Sequence, residues 1–185
     1  IYHQRYERGK TASKLTTIGK TKSTGTKVTF KPDRTIFDKS LIFSYDILAK
    51  RLRELAFLNK GLKIRLVDRR AEKEKVSDFH FKGGIISFVE HLNDNKIVLH
   101  NKVVYFDREK DGVEMEIALQ YNDGYAENIF SFANNINTTE GGTHLSGFKS
   151  ALTRTVNQYC KNKNMLKSGE VTISGEDIRE GLTAV

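Results

Sequence analysis

The sequence predicts an α+β chain, and three stretches carry that reading. Between Val113 and Tyr121, apolar Val113, Met115, Ile117, Leu119 and Tyr121 alternate with Glu114, Glu116, Ala118 and Gln120, the two-residue period of a half-buried strand. Between Ser44 and Asn59, Ile47, Leu48, Leu52, Leu55 and Ala56 recur at helical spacing and mark one buried stripe. After the glycine pair Gly141-Gly142, Leu145, Phe148, Leu152, Val156 and Tyr159 do the same over a longer helix, with Thr143 a suitable N-cap.

Taken in order, Ile1 to Glu7 alternates loosely and reads as a strand, and Leu15 to Thr21 as a second. Thr24 to Pro32 is a third, with Thr26, Val28 and Phe30 set against Lys27, Thr29 and Lys31, and closed by the only proline, which cannot donate to a ladder. This opening block is basic: Arg5, Arg8, Lys10, Lys14, Lys20, Lys22, Lys27, Lys31 and Arg34 face only Glu7 and Asp33. The helix from Ser44 follows, with Asp46 placed favourably in its first turn and Gly61 as its stop. Leu62, Ile64 and Leu66 alternate with Lys63 and Arg65 on a strand, Asp68 to Lys75 loops, and Phe79 and Phe81 lie on the return strand. Composition shifts at Gly83-Gly84, which divides the chain into domains 1–82 and 83–185. Beyond it come a short amphipathic helix from Ile85 to Asn93, a strand from Val103 to Asp107 and the clear strand to Tyr121. Asn122-Asp123-Gly124 is turn chemistry joining that strand to a buried one at Ile129 to Ala133. After the long helix, Val171 to Ile173 is extended, Gly175 to Glu180 is a short helix, and Thr183-Ala-Val185 begins an apolar run.

The long helix is basic on its other face. Lys149, Thr153, Asn157 and Lys161 stand at four-residue steps with Arg154 beside them, and no Asp or Glu falls between Lys149 and Lys167. That stripe is either a solvated surface or a contact for a polyanion. The net charge of +8 points the same way, towards nucleic acid, nucleotide or anionic membrane, or towards a merely soluble basic protein. A single cysteine, Cys160, excludes an internal disulfide framework and fits a reducing compartment. No apolar run reaches the length of a membrane span, so a soluble, cytoplasmic protein is expected, with no membrane partner.

Autonomous chemistry is scarce. The five histidines are scattered, with no pair at helical ligand spacing, so no metal site is expected. His144 at the glycine turn lacks a nucleophile to serve and reads as a helix-start residue. Gly141-Gly142 lacks the longer glycine pattern and the Lys-Ser/Thr of a phosphate loop. Thr24-Gly25-Thr26 offers two hydroxyls and a bare backbone, which serve either plain sheet structure or the approach of a ligand.

Five stretches nevertheless form a specific set: Thr24-Gly-Thr-Lys-Val-Thr-Phe-Lys-Pro-Asp33, Ala49-Lys-Arg-Leu-Arg-Glu-Leu-Ala-Phe-Leu-Asn59, Gln120-Tyr-Asn-Asp-Gly124, Glu140-Gly-Gly-Thr-His-Leu145 and Arg179-Glu-Gly-Leu182. In kind, order and coverage they resemble the B subunits of bacterial DNA gyrase, with the B subunit of topoisomerase IV as the close sibling. The resemblance implies that residues 1–82 are the rear of a GHKL (Bergerat) ATPase domain, its sheet with a helix. Residues 83–185 would then be a transducer domain with a ribosomal protein S5 domain 2-like fold.

The same resemblance implies a chain truncated at both ends. The glutamate base, the asparagine that holds Mg²⁺, the aspartate that reads adenine and the glycine-rich lid belong to an earlier half, and a Gln-Thr-Lys loop should follow shortly after Val185. No catalytic or metal-binding residue is therefore expected here. Thr26, with Gly25 beside it, is the residue carried over to the adenine side of the ATP pocket. The parent is implied to be an ATP- and Mg²⁺-dependent type IIA topoisomerase partnered by the gyrase A subunit in an A2B2 heterotetramer. A second B subunit joins on ATP binding, and double-stranded DNA is the substrate. Lys149 falls where the family places a basic residue pointing into the DNA cavity, and Arg154 and Lys161 of the same basic stripe would face DNA with it. Two rival readings are a non-enzymatic, basic S5-like nucleic-acid-binding module, and a mismatch-repair or chaperone ATPase of the same two-domain plan.

Overall fold

Left-handed backbone at Arg8 and Gly9, with φ of 49° and 77°, reverses the chain early. It joins β2 (Tyr6–Glu7) to β3 (Lys10–Thr11), while β1 (Tyr2–His3) pairs antiparallel with β4 (Thr16–Thr17). Between the two ladders the Arg5 carbonyl accepts from the N–H groups of both Ala12 and Ser13, and the Ser13 hydroxyl accepts from the Arg5 N–H at 2.9 Å. This bulge interrupts what the alternation presents as one continuous strand and shortens the strand expected at Leu15 to Thr21 to two residues. The structure, a computed structural model, describes residues 1–38, 40–165 and 172–185, in two units, Ile1–Ser44 and Tyr45–Val185.

The strand expected at Thr24 to Pro32 does not form: those residues carry no regular structure. Alternation records a capacity to pair, and a ladder also needs a neighbour's N–H and C=O groups. No described strand pairs with this stretch, and Val28 and Phe30 remain exposed.

In the second unit, α1 (Tyr45–Leu58) packs on the hairpin of β5 (Lys63–Asp68) and β6 (Lys75–His80), as the sequence implies. Its buried stripe is rotated from the expected one. Tyr45, Ala49 and Ala56 form the core with Phe79, supported by Leu52, Ile64, Leu66 and Phe81, whereas Ile47 is 72% exposed. Two alanines on the winning face let the hairpin approach closely, and the Tyr45 hydroxyl shares a 2.6 Å hydrogen bond with Ser77.

Gly84, at φ 60°, starts α2 (Ile85–Leu92). Phe57 of α1 is sandwiched between Phe81 and Phe88, so aromatic packing runs straight across Gly83-Gly84. Next, β7 (Val104–Lys110) and β8 (Val113–Tyr121) form a hairpin through Asp111-Gly112, both at positive φ. After β9 (Asn128–Ile129), Asn134-Asn135 turns β10 (Phe132–Ala133) into β11 (Ile136–Asn137). The chain then forms α3 (Thr143–Asn162), α4 (Gly175–Arg179) and β12 (Leu182–Ala184). Of the extended stretch expected at Val171 to Ile173, Val171 lies outside the described residues, and Thr172 and Ile173 have no regular structure.

The expected hairpin from β8 to Ile129 is overturned by β12. The sheet order is β7-β8-β12-β9, with β12 antiparallel to β8 and parallel to β9. Leu182, Thr183 and Ala184 are all at most 1% exposed, so the most buried segment takes the central position. Three residues are too few to display a period, which hid this strand. Leu119, Leu182 and Ala184 face Phe148 and Leu152 of α3, while Ala118 packs with Ile85 and Val89 of α2. Adjacent residues of β8 point to opposite faces, so the two helices cover the two sides of the sheet.

Candidate functional site

The long helix begins without a side-chain cap. Gly142 rather than the expected Thr143 is the N-cap residue, at φ 152°, and a Cβ there would lie 2.7 Å from the His144 ring. The His144 Nε2 lies 3.0 Å from the Thr138 hydroxyl, which itself bonds the Ser131 carbonyl. His144 therefore pins the helix start to the foot of the β10–β11 hairpin, as a helix-start residue would.

Burial along α3 departs from the two faces read in the sequence. Leu145, Phe148, Lys149, Leu152, Thr153, Val156, Asn157 and Cys160 are half-buried, while Arg154, Tyr159 and Lys161 are exposed. The covered arc takes in residues i, i+1, i+4 and i+5, about half the circumference, because α3 has neighbours on two flanks. One is the sheet. The other is the segment ending in α4, where the Asn157 amide accepts from the Ile173 N–H at 2.8 Å and donates to its carbonyl at 2.9 Å. Thr153 and Asn157 thus belong to a packing contact and not to an outward basic face.

Lys149 meets Glu127. Its Nζ is 2.5 Å from Glu127 Oε1, and the Arg179 Nε is 2.7 Å from Oε2. Burial pushes the Glu127 carboxyl up, but hydrogen bonds and charge from Lys149 and Arg179 outweigh it and hold the carboxyl below its usual value. One carboxylate thereby ties α3 to α4 next to β9. Arg154 and Lys161, two turns apart on the outer surface, form no ion pair with the described residues. Of the three residues expected to face DNA, the structure brings two to open surface and engages the third.

A buried polar hub lies on the sheet beside this node. Asn93, Gln120, Asn122 and Thr183 are all at most 4% exposed. The Thr183 hydroxyl donates to Asn93 Oδ1 at 2.8 Å, Asn93 Nδ2 donates to Gln120 Oε1 at 3.0 Å, and Asn122 Nδ2 donates to the Gly181 carbonyl at 2.8 Å. Asn122 Oδ1 in turn accepts from the Gly124 N–H at 3.0 Å. Gly181 sits at φ 70°, and a Cβ there would lie 2.4 Å from the Asn122 carbonyl oxygen. Two stretches far apart in sequence, Gln120 to Gly124 and Arg179 to Leu182, therefore form one contact. Sequence reasoning missed both this hub and Glu127; a polar Asn-Asp turn between apolar strands was the available signal for the hub, and none marks Glu127.

Gly25 and Thr26 lie in the first unit, both exposed. A Cβ on Gly25 would meet nothing within 4 Å, which leaves its backbone open to a ligand. Thr26 has no hydrogen bond to a described residue. Among the described residues no group of His, Cys, Asp and Glu is arranged to hold a metal, and no helix is long and apolar enough to cross a membrane.

The family model described as DNA gyrase B matches residues 84–185. The chain is 55% identical over 185 residues to the DNA gyrase B protein of Halalkalibacterium halodurans, and 52% identical to that of Bacillus mycoides. It is matched over its full length in both cases, and spans 29% and 46% of those proteins respectively. The crystal structure of the 43K ATPase domain of Thermus thermophilus gyrase B, in complex with an aminocoumarin, superposes with a TM-score of 0.80 at 38% identity, covering 99% of this chain and 50% of that one. A topoisomerase IV ATP-binding domain from Francisella tularensis shares the fold, with a TM-score of 0.67 at 20% identity over 99% of this chain and 49% of that one.

Proposed function

Because this chain belongs to the DNA gyrase B family, we propose that it forms part of the ATP-operated gate of a type IIA DNA topoisomerase, which couples ATP binding and hydrolysis to DNA strand passage and negative supercoiling. The observation that carries this is identity above half along the whole chain to gyrase B proteins, with the fold of their ATPase fragment. The parent enzyme uses ATP and Mg²⁺, works with a gyrase A subunit and a second copy of its own chain, passes double-stranded DNA and resides in the cytoplasm. Within the chain, residues 1–82 belong to the GHKL ATPase domain and residues 83–185 to the transducer. The start of the family match at Gly84 supports that division.

Thr26 and Gly25 serve the adenine side of the ATP pocket. The open approach at Gly25 and the Thr26 hydroxyl fit a hydrogen bond to a nucleotide or to a water that bridges to it. The described residues bring no group of three His, Cys, Asp or Glu side chains together, so the ligands for the Mg²⁺ ion lie elsewhere in the parent protein. Arg154 and Lys161 face the transported duplex, with Lys149 behind them on the same helix. Contacts to phosphate read no bases, which suits a passage open to any sequence.

The test is ATP-dependent supercoiling of relaxed plasmid by the full-length protein with its A-type partner. Introduction of negative supercoils supports gyrase. Decatenation and relaxation without supercoiling would move the protein to the topoisomerase IV branch, and no topological activity with that partner would overturn the gate reading. The isolated 185-residue chain should turn over no ATP.

A further inference from the structure

The positive charge of this chain is segregated. Residues 1–44 hold ten Lys and Arg against three Asp and Glu, whereas residues 45–185 hold 21 against 20, so the first unit carries seven of the eight net charges. Its acids do little to offset this. Asp33 pairs with Arg8, and Asp38 is occupied by the Ser40 N–H and hydroxyl, leaving Lys10, Lys14, Lys20, Lys22, Lys27 and Lys31 exposed with no ion pair to a described residue. The α3 unit, by contrast, is close to neutral, and its Lys149 is already paired with Glu127.

From this we infer that the first unit is a second, independent contact surface for the sugar-phosphate backbone of duplex DNA, and that it supplies more of the electrostatic attraction than α3 does. The inference rests on the gate reading for its DNA. Seven of the ten cations are lysines, point charges on flexible stems that meet phosphates without a fixed register. They stand on short hairpins and an irregular stretch. The unit shows no helix among its described residues, and so no amphipathic helical face to lie in a bilayer, which favours nucleic acid over a membrane surface. A surface of this kind attracts DNA by counterion release and leaves base sequence unread.

The test compares three variants of the full-length protein in duplex binding across a salt series. The first replaces Lys10, Lys14, Lys20 and Lys22 with Gln, the second replaces the same four with Arg, and the third is Arg154→Ala with Lys161→Ala. Circular dichroism and the thermal unfolding midpoint report that each folds. The Gln variant should lower the slope of log affinity against log salt by up to about 3.6, at about 0.9 per phosphate contact. The Arg variant should bind like wild type. An unchanged slope in the Gln variant, with a lowered one in the α3 variant, overturns this inference and leaves the gate reading standing. No duplex binding by wild type overturns both. A larger loss on single-stranded than on duplex oligonucleotide overturns the duplex assignment.

Discussion

Lys149 on α3 holds its Nζ 2.5 Å from Glu127 beside β9, and Glu127 takes Arg179 with its other oxygen. The α3 lysine proposed to face DNA is thus engaged as a structural strut, and a phosphate would have to compete with Glu127 for its charge.

Titration should expose that strut. The folded Glu127 carboxyl is depressed, so its contribution to stability is fully present above the unfolded value near 4.5 and is lost as pH falls through the lower folded value. Thermal unfolding of wild type should therefore lose stability below about pH 4.5, and Glu127→Gln should flatten that part of the profile. A mutant profile parallel to wild type between about pH 5 and pH 3 would dismiss the strut.

On the outer surface of α3 the expectation is reversed. Arg154→Ala and Lys161→Ala should change stability by no more than about 0.5 kcal/mol, as exposed positions do. Each should lower the salt slope of DNA binding by about 0.9, and Lys63→Ala, a control on β5, should leave it unaltered. Wild-type DNA binding by both α3 variants would leave the outer stripe as solvated surface only.

Aromatic packing across Gly83 predicts coupling. Phe57→Ala should cost about 3–5 kcal/mol. In a double-mutant cycle with Phe88→Ala the two effects should fall short of additivity by about 0.5–3 kcal/mol, because the rings are stacked 4.8 Å apart. Leu52→Ala and Leu152→Ala support different cores and should be additive within about 0.5 kcal/mol. Urea denaturation of the single and double variants measures both cycles, and additive Phe effects would mean that the stack carries no shared energy.

The polar hub offers a sharper substitution. Thr183→Val preserves shape but removes the nearer of two donors to Asn93 Oδ1 and one partner of Asn122 Nδ2, and should cost about 1–3 kcal/mol. Gly181→Ala drives a methyl into the Asn122 carbonyl at a positive φ and should cost more than about 1 kcal/mol. Chemical denaturation of both variants decides the matter, and a wild-type midpoint for Thr183→Val would remove the hub from the account of stability.

At the nucleotide end, Thr26→Ala in the full-length protein should weaken binding of ATP or an ATP-site inhibitor by about 0.5–1.5 kcal/mol, the value of one hydrogen bond, and leave the melting temperature unchanged. Calorimetric titration reads this directly, and an unchanged affinity returns Thr26 to a purely structural role.

Where local signals suffice, the sequence was transparent. The β8 boundaries, the β5–β6 hairpin, α1, α2 and the short α4 follow from alternation, stripe spacing and turn residues. What failed depended on partners remote in the chain. Thr24 to Pro32 alternates well but pairs with nothing described, and Ile47 lost the buried face to Tyr45 and Ala49 because the hairpin, not the helix, chose the side. The basic stripe divided for the same reason. Arg154 and Lys161 stayed outside, while Thr153 and Asn157 were claimed by the segment near Ile173, whose backbone offers no side-chain signature to read.

The central place of β12 sets a condition on biosynthesis. β8 and β9 leave the ribosome first, yet neither acquires its inner neighbour until Leu182 to Ala184 follow, roughly fifty residues and several seconds later at about 5–20 residues per second. For that interval two strand edges stand open together, which is the configuration most prone to pairing with a neighbouring nascent chain. Leu182, Thr183 and Ala184 therefore decide whether the transducer sheet closes on itself or on another molecule.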